Sequence, residues 1–289
     1  MKLSELNFGK VEKDGEFNWL GLTAEEYEGK KVLTFLNDEK YIKEFKKNNT
    51  ITCILTTLEI SEKIKGYNYG ILIVENPRKD FFELHNKLVK ESFYFTKNKN
   101  KISEKAMISK KATIGDYNII IEDNVVIESN VTIYENVTIK KNSIIRSGSR
   151  IGGNACEFSR FKDKVLEVFS AGSVLVDENV EIQNNVCIDK GVFDQTYIGK
   201  NVKIDNLVHI AHDVKIGNNT LIIACSFIGG RTRISKNSFI GPNCTIKNGL
   251  FLGENSRVTM GAVVVMNVEN NEVVSGNFAI PHDQFIKRI

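Results

Sequence analysis

From residue 198 onward an aliphatic side chain returns at every sixth position: Ile198, Ile204, Ile210, Ile216, Ile222, Ile228, Ile234, Ile240 and Ile246, then Leu252 and Val258. A beat of six is neither the 3.6 of an α-helix nor the 2 of a plain strand. The same beat runs earlier through Ile102, Ile108 and Ile114, slips by one residue, and continues from Ile121 through 127, 133, 139 and 145 to Ile151. It breaks, returns at Val176, Ile182 and Ile188, and slips again before Ile198. Four residues after each aliphatic position stands a small or β-branched residue: Val125, Val131, Val137, Ser143 and Ser149, and later Val202, Val208, Val214, Thr220, Ser226, Thr232, Ser238 and Cys244. This is a hexapeptide repeat, and its physical solution is a parallel β-helix in which each hexad is a short strand plus a turn and three hexads close a triangular coil. The aliphatic residue fills the inside of a face and the small one a corner. Coils stack at about 4.8 Å, so residues 18 apart are neighbours on successive coils. The period alone does not fix the hand of the coil.

Residues 1–100 carry a different pattern. Runs of β-formers, KVLTFL, ITCILTT and YGILIVE, alternate with the amphipathic stretches EKYIKEFKK and RKDFFELHNKLVKE, and Asn76-Pro77 reads as an N-cap followed by proline at the first helical position. The expectation is an α/β domain over 1–100 followed by a β-helix over 101–289, with the lysine-rich TKNKNKISEK as the link. The segment at about 154–170 has no six-residue beat and is expected to be a loop.

Bulk properties narrow the function. Basic residues exceed acidic ones by 39 − 36 = 3 and are scattered, which gives no electrostatic case for nucleic acid. The five cysteines, at 53, 156, 187, 225 and 244, show no metal-ligand spacing and read as free thiols in a reducing compartment. No metal site is expected. The N-terminus has no apolar signal core and no segment approaches a membrane span, so the expected location is cytoplasmic. His85, in FFELHNKL, and His282, in PHDQF, read as solvated or partly packed histidines.

The other two histidines lie in IDNLVHIAHDVKIG, residues 204–217. His212 stands two residues past Ile210, in a turn, and projects outward from a corner. Stacking arithmetic places Asp194 at 212 − 18 and Gly230 at 212 + 18. A carboxylate fixes an imidazole tautomer and raises its basicity, and a glycine lets a substrate approach a backbone N–H able to serve an oxyanion. Base, orienting carboxylate and oxyanion donor together point to acyl transfer. A surface histidine without a role is the alternative.

The run IDKGVFDQTYIGKNVKIDNLVHIAHDVKIG resembles the UDP-3-O-acylglucosamine N-acyltransferases of lipid A synthesis, hexapeptide-repeat enzymes with a left-handed β-helix. VLTFLNDEKY followed by GILIVENPRKDFFEL is similar to that family's nucleotide-binding domain. The resemblance implies that His212 is the general base acting on an amino-sugar nitrogen, that Gly230 supplies the oxyanion N–H, and that Asp205, in KIDN, is an aspartate important for activity. It implies too that Phe35 and Tyr41 sandwich the nucleotide base, with Asp38 where the family has an asparagine reading that base. A homotrimer with sites between neighbouring β-helices is implied. In the bland reading Phe35 is strand core, Tyr41 packs a helix and Asp205 is a turn residue.

This sequence departs from the family at several points. Asp213 follows the histidine where asparagine is usual, ACEFSRF at 155–161 replaces a glycine- and aromatic-rich segment, IKNGLFLG at 246–253 lacks a further histidine, and the chain stops at FIKRI. The expected donor is therefore acyl-coenzyme A rather than an acyl carrier protein, with no permanently bound cofactor. Arg231, Arg233 and Arg257, with Lys236 and Lys247, are the expected phosphate-binding cations, a solvated face being their alternative. The leading expectation is an N-acyltransferase acting on a nucleotide-linked amino sugar, for lipid A or a surface glycan. Sugar O-acetylation and a non-catalytic nucleotide-sugar-binding trimer are the alternatives.

Overall fold

The structure is a computed structural model that describes every residue except 67, 163, 277, 278, 280, 282 and 285–289. His282 and the FIKRI end lie outside the described residues. The chain divides into two compact units: Met1–Thr96 with Cys156–Ala171, and Lys97–Ala155 with Gly172–Ile289.

In the first unit five strands, β1 (Lys10–Lys13), β2 (Trp19–Leu20), β3 (Val32–Leu36), β4 (Ile51–Thr56) and β5 (Gly70–Ile73), form one sheet in the order β1-β5-β4-β3-β2. The pairs from β2 to β5 are parallel, and β1 is antiparallel to β5. The central strands are buried on both faces, hence their unbroken apolar runs. Two short helices, α1 (Ile42–Phe45) and α2 (Leu58–Lys63), precede α3 (Pro77–Lys90), the longest of the unit. Asn76 caps α3 by accepting from the Lys79 N–H at 3.2 Å, and Pro77 opens it.

Residues 156–171 are not the plain loop their lack of periodicity suggested. Phe158–Phe161 and Lys164–Glu167 pair as an antiparallel hairpin. Asn86 of α3 donates to the Glu167 carbonyl at 2.6 Å and accepts from the Phe169 N–H at 2.9 Å. His85, expected to be solvated or partly packed, is fully buried beside it. Its Nε2 lies 2.7 Å from the Phe169 carbonyl and its Nδ1 2.6 Å from the Tyr94 hydroxyl. A carbonyl only accepts, so Nε2 carries the proton and neutral Nδ1 accepts from Tyr94. Burial pushes the His85 pKa down to about 4, against the opposing pull of the Phe169 carbonyl.

The second unit is the parallel β-helix. Its three faces are parallel sheets of eight, nine and eight strands, beginning at Lys101–Ile102 (face one), Met107–Ile108 (face two) and Thr113–Ile114 (face three). The sixth-position aliphatic residues from Ile198 to Val258 are buried along its axis. The small corner residues are buried too, and those with hydroxyls find carbonyls: Ser226 donates to Gly241 at 2.8 Å and Ser238 to Gly253 at 3.1 Å. The slips in the beat are insertions at corners. Ile108 pairs with Ile127, 19 residues on, and Ile182 with Ile204, 22 on, before Ile198 and Ile216 restore the spacing of 18.

Most corners turn through one residue in the left-handed region, which costs an ordinary L-residue about 1–2 kcal/mol and which asparagine or glycine tolerates best. Between faces one and two that residue is asparagine on eight coils, at 124, 142, 179, 201, 219, 237, 255 and 271. Their amides form a ladder, with Asn201, Asn219, Asn237 and Asn255 each donating to the asparagine of the next coil at 2.9–3.2 Å. Among the described residues of this unit, only Leu207, Asp213, Cys225 and Arg231 occupy the left-handed region without being asparagine or glycine.

Candidate active site

His212 lies at the corner where the strand His209–Ile210 of face three turns into Lys215–Ile216 of face one. It is 8% exposed. Its Nδ1 sits 2.8 Å from Asp213 Oδ2. The Asp213 carboxylate also accepts from the backbone N–H groups of Val192 at 3.1 Å and Asp194 at 3.2 Å, while the Asp213 N–H donates to Thr196 Oγ1 at 2.9 Å. Burial, the largest influence, pushes the Asp213 carboxyl up. The hydrogen bond from His212, the charges of His212 and Arg231, and the Val192 N–H together hold it below the usual carboxylate range. An ionised carboxylate only accepts, so His212 Nδ1 is the protonated nitrogen and Nε2 keeps its lone pair.

The four-residue insertion after Ile188 is what delivers the two N–H groups to Asp213. It is possible because of glycines. A Cβ on Gly191 would lie 2.0 Å from the Asp194 carbonyl and 2.5 Å from Asp213 Oδ1, and one on Gly172 only 1.7 Å from the Asp194 carbonyl. One coil further on, the imidazole lies against Gly230, where a Cβ would meet Nε2 at 2.7 Å, Cε1 at 2.8 Å and Cδ2 at 3.1 Å. The Gly230 N–H meets no protein acceptor among the described residues, whereas the next N–H, of Arg231, donates to the His212 carbonyl at 2.9 Å. A proton acceptor and an open N–H donor thus stand side by side at one corner.

The predicted site residues fall into several places. Asp194 has the register that stacking arithmetic gave, since Tyr197 pairs with Lys215 18 residues on, but it does not orient the histidine. Its carboxylate binds Lys215 Nζ at 2.7 Å, and Asp213, in the left-handed corner position, takes the orienting role. Asp205 lies at the other edge of face three, between faces two and three. There Oδ1 accepts from the Asn206 N–H at 2.7 Å and Oδ2 from the Ala224 N–H at 3.2 Å, so within one chain it caps its own turn away from His212. Arg231 is at the His212 corner and Arg233 on face one beside it, but Arg257 lies on face two, stacked on Phe239 at 4.5 Å. The three arginines therefore do not form one cluster in the chain. In the first unit Phe35 packs on Phe81 and Phe82, with centroids 5.0 and 5.8 Å away, while Tyr41 is exposed with Lys40 over its ring. Asp38 caps the turn Glu39–Tyr41 by accepting from the Lys40 N–H at 3.0 Å and pairs with Lys40 Nζ at 2.8 Å.

His209, outward on face three, was not predicted to act. It stacks on Phe227 at 5.5 Å with ring planes 8° apart, and its Nε2 is 3.4 Å from Asp189 Oδ2. Among the described residues no group of three or more histidine, cysteine or acidic side chains could hold a metal, and no helix is long and apolar enough to cross a membrane.

The bacterial transferase hexapeptide family (six repeats) matches residues 118–153 and 195–230, the second stretch spanning the His212 corner through Gly230. A UDP-N-acetylglucosamine acyltransferase from Francisella novicida superposes with a TM-score of 0.52 at 23% identity, over 65% of this chain and 71% of its own. Over those two stretches the chain carries hexapeptide repeats similar to those of that family, and its second unit has the fold of a left-handed parallel β-helix. By sequence it is similar to the UDP-3-O-acylglucosamine N-acyltransferases of Leptothrix cholodnii, 39% identical over 61 residues, and Porphyromonas gingivalis, 39% identical over 62. Those matches take in 21% and 22% of this chain, and the chain spans 18% of the length of each relative.

Proposed function

We propose that the protein is an acyltransferase that moves an acyl group from a thioester to the amino group of a nucleotide-linked sugar. The observation that carries this reading is the corner itself: an imidazole held by Asp213 in the tautomer that leaves the Nε2 lone pair unprotonated, lying against Gly230, whose N–H meets no protein acceptor among the described residues. The names of the sequence relatives support the substrate class.

In the first step the sugar nitrogen attacks the thioester carbonyl carbon while its proton passes to His212 Nε2. Negative charge gathers on the carbonyl oxygen, within reach of the Gly230 N–H. The Asp213 carboxylate stabilises the imidazolium that forms. Collapse of the tetrahedral intermediate breaks the carbon–sulfur bond, and the leaving thiolate takes the proton back from Nε2. The products are an amide and a free thiol. The donor we assign is acyl-coenzyme A, with Arg231 and Arg233 beside the corner offering charge to its phosphates. The acceptor is bound through its nucleotide by the first unit, and the working assembly is a homotrimer in the cytoplasm. Lipid A or a surface glycan is the destination.

The test is turnover with a panel of nucleotide amino sugars, each offered acetyl-coenzyme A or a hydroxyacyl carrier protein and read by mass spectrometry. The expected result is an amide product that disappears, by about a hundredfold or more, in His212→Ala. Product formed at the parent rate by that variant, or no product from any donor and acceptor, refutes the reading. A carrier protein that outperforms the coenzyme A thioester tenfold overturns the donor assignment alone.

A further inference from the structure

The corner that carries His212 holds another charged side chain one coil earlier. Cys187 pairs with His209 and Ile188 with Ile210, so Asp189 stands level with Ala211 and Lys190 level with His212. The separation in sequence is 212 − 190 = 22 rather than 18 because the four-residue insertion lies beyond Lys190. The Lys190 N–H donates to the Gly153 carbonyl at 2.9 Å, which fixes the lysine over Gly153 of the coil before. Gly153 leaves that side open, since a Cβ there would meet nothing closer than Asp189 Oδ1 at 3.8 Å. Gly153, Lys190, His212 and Gly230 thus follow one another along a single edge of the β-helix.

Other lysines of these coils have acidic partners: Lys140 pairs with Asp177, Lys141 and Lys200 with Glu178, and Lys215 with Asp194. Lys190 does not. Among the described residues its Nζ makes no ion pair and no hydrogen bond, although the residue is half-buried. Its chain neighbour Asp189 is turned to His209 Nε2 at 3.4 Å. Burial lowers the Lys190 ammonium from its ordinary value, with the charge of Glu135 opposing. Drawing a cation out of water without a partner is costly, and chains keep such a group where it meets a ligand. What an ammonium of this kind recognises is an anion.

We propose that Lys190 binds the phosphate attached to the acceptor sugar and so holds the acceptor's amine against His212; this rests on the acyl-transfer reading above. The side of the imidazole on which the lysine stands assigns it to the acceptor rather than the donor. Gly230, Arg231 and Arg233 lie on the C-terminal side of His212, where that reading puts the thioester carbonyl and its coenzyme. The amine reaches the carbonyl carbon from the other side, which is the side of Lys190. Successive coils are about 4.8 Å apart, so the ammonium is within reach of a phosphate close to the amine that His212 deprotonates. That phosphate carries the same charge before and during the reaction, so the contact strengthens binding and leaves the chemical step almost untouched.

Lys190→Met keeps the length of the side chain and removes its charge. The variant is expected to raise KM for the nucleotide amino sugar about tenfold or more, to change kcat by less than about threefold, and to leave KM for acetyl-coenzyme A within about twofold. Its melting temperature is expected to equal or exceed the parent's, because no ion pair is lost. Lys190→Arg, which keeps the charge, is expected to recover most of the acceptor's binding. A purely structural role would not separate the two substrates in this way. Binding is read without turnover by ligand-detected NMR, with glucosamine 1-phosphate and glucosamine as probes. The parent is expected to prefer the phosphorylated sugar about tenfold or more, and Lys190→Met to lose that preference. If Lys190→Met does not fold, Lys190→Gln takes its place. A loss that falls on acetyl-coenzyme A instead, a parent without phosphate preference, or a variant that keeps both the parent KM and the parent preference overturns the inference. A parent without turnover on any donor and acceptor refutes acyl transfer, while the NMR comparison still reads Lys190, so the two failures are distinguishable.

Discussion

Placing a single methyl group on Gly230 tests the candidate site at its closest contact. The residue is not in the left-handed region, so alanine is compatible with the backbone there, and what the new Cβ meets is the His212 ring. Nε2 would stand 2.7 Å away, whereas ordinary contact begins near 3.4 Å, so the ring must retreat by 3.4 − 2.7 = 0.7 Å or rotate out of its bond with Asp213. Either movement displaces the proton acceptor from the open N–H beside it. Misplacement of a reacting group by about 1 Å costs on the order of a hundredfold. Gly230→Ala is therefore expected to lower kcat by about 30- to 100-fold. Crowding in a packed site costs about 1–3 kcal/mol, so the melting temperature should fall by only a few degrees. The assay is steady-state turnover with acetyl-coenzyme A and the best acceptor. Thermal unfolding runs in parallel, with Gly276→Ala as the control because a Cβ there meets nothing within 4 Å. A Gly230→Ala enzyme within twofold of parent kcat would refute the placement of His212 and Gly230 as joint partners in the chemistry.

Three further outcomes follow from the same geometry. Asp213→Ala removes the acceptor that fixes the His212 tautomer, and kcat should drop by about 10²–10⁴-fold, read from rate against pH between 5 and 9. Asp194→Asn should change kcat by less than about threefold, because its side chain faces Lys215 and its backbone N–H still reaches Asp213; a hundredfold loss would return the orienting role to Asp194. His85 has a folded pKa of about 4 against an ordinary 6.5, so the unfolded chain binds the proton more readily. Its contribution is complete above pH 6.5 and is lost as the pH falls from there through 4. That amounts to about 3 kcal/mol, measurable as a fall in the denaturant midpoint of the parent that is absent in His85→Phe.

The β-helix was legible because its cause is local and repeated: an aliphatic residue every sixth position can only be an inward slot, and Ile198 to Val258 all proved to be one. His212 and Gly230 were legible for the same reason, since stacking at 18 is arithmetic. Asp213 was missed because its effect depends on the left-handed turn it occupies; read along the sequence it was only a substituted asparagine. The same arithmetic could have placed Asp205, seven residues before His212, at a different corner. The hairpin Phe158–Phe161 with Lys164–Glu167 left no signal because its four-residue strands are too short to show alternation, and its docking depends on His85 and Asn86 more than 80 residues away. Phe35 reads equally as base-stacking ring or strand core along the sequence, and its packing on Phe81 and Phe82 left no signal there because those residues lie more than 40 positions away.

A solenoid of this kind holds together through nearest neighbours alone, so its resistance to opening is a profile along the axis rather than one number. The four residues least suited to their corners, Leu207, Asp213, Cys225 and Arg231, all fall in two adjacent coils with several coils on either side. The minimum of that profile therefore lies in the interior, not at the frayed ends where linear arrays usually begin to open. Amide hydrogen exchange along the inward isoleucines should be fastest near Ile204 to Ile228 in the free protein and slow there when substrate bridges the coils. On the acyl-transfer proposal, substrate would then hold the solenoid closed at its weakest point.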